Sequence, residues 1–127
     1  MRLSPALLLL IVGCTAPDAH GSPGRDFAAE LAGRTAGPPQ ECVSTMPTTN
    51  LRVVDEQTVT IDSGGAIYVN HLRGPCPGLR PMDTLIVQVH GSQYCRGDRF
   101  RSRPFGGSAV PGPICILGSF TPYRRPS

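Results

Sequence analysis

The most reactive side chains in this sequence are five cysteines, at positions 14, 42, 76, 95 and 115. A thiolate can attack carbon, join a second sulfur or hold a metal. No two of the last four stand two to four residues apart, as structural zinc sites require, and His71 and His90 lack ligand spacing, so no metal is expected. Four cysteines allow three disulfide pairings in an oxidising compartment. The pairing expected is Cys42 with Cys115, closing the two ends of the segment, and Cys76 with Cys95, pinning a turn to the hairpin beyond it. For nucleophilic catalysis His90-Gly91-Ser92 sets a base near a hydroxyl, but no Gly-x-Ser-x-Gly elbow surrounds it. The acids Asp55, Glu56, Asp62, Asp83 and Asp98 fall mostly at turns rather than as the facing pair a glycosidase needs. Phosphate-loop, dinucleotide and calcium-loop patterns are missing. The chain is expected not to be an enzyme and to take no cofactor.

A different chemistry is written in arginine, which supplies all 12 basic residues. From Arg96 to Ser127 six arginines accompany one acid, Asp98, a local balance of +5 against +3 for the whole chain. Arg99, Arg101 and Arg103 alternate with Phe100 and Ser102, so a strand would place the three guanidinium groups on one face. Such a stripe can meet phosphates or carboxylates; the alternative is a solvated face in an Arg-rich chain. Arg96-Gly97-Asp98 repeats the tripeptide that integrins read, a match short enough to arise by chance. With no Trp, three Tyr and four Phe, stacking platforms for nucleic acid are scarce and no nucleic acid is expected.

The amino-terminal residues bear on where this happens. Met1-Arg2 is a minimal basic start, Ala6 to Val12 is a short apolar run, and Gly13 precedes Cys14. The run is too short to cross a bilayer as a helix. Ile11-Val12-Gly13-Cys14 resembles the lipobox of bacterial lipoproteins, which implies removal of residues 1–13, a lipid on the Cys14 sulfur and attachment to a membrane facing the periplasm. Two or three acyl chains make release negligible. Thr15, in place of Asp, favours the outer over the inner membrane. An ordinary signal peptide cut between Ala16 and Gly24 and an uncleaved anchor are the alternatives.

Residues 14–40 are broken by Pro17, Pro23, Gly33, Gly37, Pro38 and Pro39 and read as a flexible tether, with Asp26 capping a marginal two-turn helix through Leu31. Residues 41–127 carry the punctuation of short strands. Leu51–Val54, Thr58–Ile61 and Ala66–Leu72 form a predicted meander, with Gly64 and Gly65 at a tight hairpin. One strand is predicted over 84–90 with Leu85, Val87 and Val89 on its apolar face, another over 93–101 and a last one over 114–120. The expectation is a mainly β fold, an antiparallel five- or six-stranded barrel or sandwich stapled by disulfides.

Glu41-Cys42, Val53 to Val59, Gly65 to Leu72, Cys76-Pro-Gly-Leu79, Tyr94-Cys95 and Cys115 to Phe120 follow one another in an order that resembles a family of small bacterial envelope lipoproteins classed as a domain of unknown function. The resemblance spans about 80 residues and implies a compact, mostly β, cystine-bearing domain behind a lipid anchor; it implies no activity and supplies no catalytic or binding residues. The combined expectation is an accessory envelope lipoprotein whose domain meets an envelope protein, lipid headgroup or glycan through Arg99, Arg101 and Arg103. A small-ligand binding module and an enzyme are the alternatives, and the oligomeric state is open.

Overall fold

The computed structural model describes residues 13, 23–46, 50–104, 106 and 112–126. Cys14, the apolar run before it and most of the segment up to residue 22 lie outside the described residues. Helix α1 (Pro23–Leu31) is followed by ten strands: β1 (Thr35–Ala36), β2 (Cys42–Ser44), β3 (Asn50–Asp55), β4 (Thr58–Ser63), β5 (Ala66–His71), β6 (Thr84–Val87), β7 (Gln93–Cys95), β8 (Arg99–Arg103), β9 (Cys115–Ile116) and β10 (Phe120–Arg124). All pairings are antiparallel and make three sheets, ordered β1-β10-β5-β4-β3, β2-β7 and β6-β8-β9. The fold is mainly β and sandwich-like, and the described strands form no closed barrel.

The expected meander is β3-β4-β5. Gly64 and Gly65 both hold positive φ, 58° and 77°, which lets the β4-β5 ladder run in register from Ser63↔Ala66 to Thr58↔His71. The β3-β4 turn is closed by Asp55, whose Oδ1 accepts the Gln57 N–H at 2.8 Å. Alternation then divides the side chains. Val53, Val59, Ile61, Ala66, Tyr68 and Phe120 join Val43, Phe100, Cys115 and Leu117 in one buried cluster, with Leu85, Val87 and Tyr94 packed against it. The core therefore lies between the five-stranded sheet and the two smaller ones.

Asn70 joins these layers. It is fully buried, and its amide makes two hydrogen bonds to the backbone of Gly118: Nδ2 donates to the carbonyl at 2.7 Å and Oδ1 accepts the N–H at 2.8 Å. A Cβ at residue 118 would collide with the His71 carbonyl oxygen, so only glycine lets the β9-β10 connection pass this close.

Several expectations are corrected. The disulfides are Cys42–Cys95 and Cys76–Cys115, not Cys42–Cys115 and Cys76–Cys95. Cys42 and Cys95 are direct partners in the β2-β7 register with Cα atoms 4.1 Å apart, whereas Cys76 is brought to β9, where the Arg73 N–H reaches the Ile116 carbonyl at 3.0 Å. Residues 23–40 are not simply a tether: α1 is nine residues long, β1 is an edge strand on β10, and Gln40 bridges to Phe120. The strand expected over 93–101 is two, separated by a turn at Gly97 (φ 90°), and β6 stops at Val87, leaving Val89 exposed. The short strands exceed the expected five or six because each smaller sheet is built from fragments.

Candidate functional site

The arginine stripe is real and its strand is β8. Phe100 and Ser102 point inward and are buried, so Arg99, Arg101 and Arg103 stand on the exposed face of the β6-β8-β9 sheet. Strand spacing sets neighbouring arginines about 6.7 Å apart along β8. Thr84 pairs with Arg103 and Ile86 with Arg101, while the Gln88 N–H donates to the Arg99 carbonyl at 2.9 Å. On the other edge Arg99 faces Ile116 and Phe100 faces Cys115; one residue further, this register sets Ile114 beside Arg101. The middle guanidinium thus has an isoleucine on each side, and both are open to solvent, Ile86 by 47% and Ile114 by 51%. Ile86, Gln88, Ile114 and the three arginines line a shallow cavity of about 260 Å³.

No carboxylate among the described residues pairs with this stripe. The ion pairs among the described residues are Arg52 with Glu30 and Asp62, and Arg96 with Glu41 at 3.6 Å. Of the chain's nine acids, only Asp18 lies outside the described residues. The +5 segment therefore separates into parts. Arg96 is matched to Glu41, and Arg124 lies 5.9 Å over the Tyr68 ring and donates to its hydroxyl; the three β8 arginines keep their charge for a partner.

A second charged surface lies on the outer face of the five-stranded sheet. Arg52 of β3 meets Glu30 of α1 in a two-pronged contact of 2.9 and 2.7 Å, and reaches Asp62 of β4 at 3.4 Å. Hydrogen bonding to Arg52 holds the Glu30 carboxyl below its usual range, and Glu30 in turn raises the Arg52 pKa. Arg34 donates to the carbonyls of Gly65 and Tyr123 at 3.1 and 3.2 Å. An open cavity of about 590 Å³ lies among these groups, but its charges are already matched to one another. Sequence reasoning missed this cluster, whose only local sign is Glu30 on a short helix.

No family model, curated protein or solved structure matches this chain. His71, His90 and Ser92 are exposed, and none makes a side-chain hydrogen bond to another of the set among the described residues. Asp98 is buried, and its Oδ2 accepts the Cys95 N–H at 2.8 Å, so it serves the turn into β8 rather than displaying the Arg96-Gly97-Asp98 tripeptide. No group of three or more His, Cys, Asp or Glu able to hold a metal occurs among the described residues. Chemically, the β8 face can bind and orient an anion with adjoining apolar surface.

Proposed function

We propose that this protein is an accessory lipoprotein of a bacterial envelope, tethered through Cys14, whose β domain engages an anionic envelope component through Arg99, Arg101 and Arg103. One observation carries the reading: three guanidinium groups share one exposed strand face and pair with no carboxylate among the described residues. Two disulfides accord with an oxidising compartment. The lipobox-like Ile11-Val12-Gly13-Cys14 and the cysteine order that resembles envelope lipoproteins support this location. The cavity on this face, about 260 Å³, is below the usual size of a small-molecule site, which favours an extended anionic surface over an enclosed ligand.

A photoreactive residue at position 84, at the edge of the stripe, tests this in intact cells. A specific adduct should form in the membrane fraction and disappear in R99S/R101S/R103S. Absence of a specific adduct, or one that survives the triple substitution, defeats the reading. Anchoring is tested separately by Cys14→Ala, which should move the protein out of the membrane fraction.

A further inference from the structure

We infer that the component met by the β8 face is the surface of an anionic phospholipid bilayer, with the three arginines on headgroup phosphates and Ile86 and Ile114 dipping into the boundary beneath them. This deepens the reading above and rests on it. The order of side chains across the sheet carries the inference. A bilayer surface presents phosphate over hydrocarbon, and the face presents a line of guanidinium groups flanked on both sides by half-exposed isoleucines. Guanidinium binds phosphate through paired N–H donors, and none of these donors is taken by a carboxylate among the described residues.

The composition of the face argues against the other occupants. Stable protein interfaces are usually centred on aromatic anchors, and the strand positions on this face carry none, Phe100 pointing inward. A glycan would call for several neutral hydrogen-bonding side chains. Beside the arginines, the strand positions on this face and the residue after β6 supply only Thr84 and Gln88. Weak attachment by a few cations and two aliphatic side chains is enough for a domain that a lipid already holds near the membrane, because tethering raises its effective concentration there.

The test uses the full-length chain with Cys14→Ser and intact disulfides, so that the amino-terminal apolar run is common to every variant. It is sedimented with vesicles of phosphatidylcholine alone or containing 30% phosphatidylglycerol. The anionic vesicles should bind it more tightly, by about fivefold per arginine and on the order of 100-fold for the three. Raising salt from 50 to 500 mM should erase most of the excess, since the Debye length shrinks several-fold. R99S/R101S/R103S should lose the excess altogether; I86S/I114S should keep the lipid preference and bind about tenfold more weakly. Equal binding to the two vesicles, an excess that survives the triple substitution, or no effect of the isoleucine pair overturns the inference. If vesicles are ignored while the cellular photo-adduct is a protein or glycan lost in the triple variant, the bilayer is wrong and the interaction reading stands. If neither adduct nor vesicle binding responds to the arginines, both fall.

Discussion

Two arginine-bearing surfaces sit on opposite outer faces of the sandwich and treat the same side chain in opposite ways. On the five-stranded sheet, Arg52 is held by Glu30 and Asp62 and fastens α1 to β3. On the three-stranded sheet, Arg99, Arg101 and Arg103 have no such partners among the described residues and fasten nothing within the domain. An arginine that meets carboxylates inside its own chain contributes to folding and has little left to offer outside. Unpaired arginines repel one another mildly and keep their donors for a partner. Charge count does not separate the two roles; pairing does.

The contrast is broken most severely where the two sheets are joined. Cys76 follows β5 of the larger sheet, Cys115 lies in β9 of the smaller one, and both are buried. Their bridge closes a separation of 39 residues, for which loop entropy gives about 4 kcal/mol. C76S/C115S should lower unfolding stability in urea by roughly 3–4 kcal/mol and should speed amide exchange in β8 and β9 more than in β4 and β5. Uniform exchange would mean that the sheets do not depend on the bridge for their alignment. A direct comparison comes from one substitution on each face. Arg52→Met should cost about 1 kcal/mol, because the partly exposed Glu30 and Asp62 are left facing each other. Arg101→Met should stay within about 0.5 kcal/mol while weakening vesicle binding. Equal stability losses would erase the distinction.

The smallest effect is a pH dependence. Because pairing with Arg52 lowers the Glu30 pKa below 4.5, the native state favours the ionised carboxylate. Its contribution is fully present above the unfolded value and is lost as pH falls through the lowered folded value. Glu30→Gln should therefore be slightly less stable than the parent at pH 7, with the gap closing below about pH 4; thermal melts across pH 3–7 measure it. A gap that stayed constant down to pH 3 would remove the charge from the account.

How much of this was legible in the sequence depends on the range of the interaction. The β3-β4-β5 meander and the stripe on β8 are local: alternation of Arg99, Arg101 and Arg103 with Phe100 and Ser102 sets the exposed face without reference to any other strand. Ile86 could be placed on the face away from Leu85 and Val87, but its position across from Arg101 needs the β6-β8 pairing, and that of Ile114 needs β8-β9. Neither pairing leaves a mark in the intervening residues. The disulfide pairing is illegible locally for the same reason, since Cys42 finds Cys95 through the β2-β7 register rather than through proximity of the chain ends. Proline and glycine between residues 33 and 39 suggested a tether, yet Thr35 and Ala36 still pair with β10. Gly97 and Asp98, both turn formers, are the local mark of the break before β8.

The two bridges also cross one another along the chain. Their spans interlock, 42 to 95 and 76 to 115, so neither joins cysteines that follow one another. A chain that emerges amino end first presents Cys42 and Cys76 together before Cys95 exists, and oxidation at that moment makes a bond absent from the finished protein. Where that bond forms, reaching the native pattern means breaking it, by attack of a later thiolate through a mixed disulfide. Oxidative refolding of the reduced chain should therefore run faster in a redox buffer that can reshuffle disulfides than in one that only forms them.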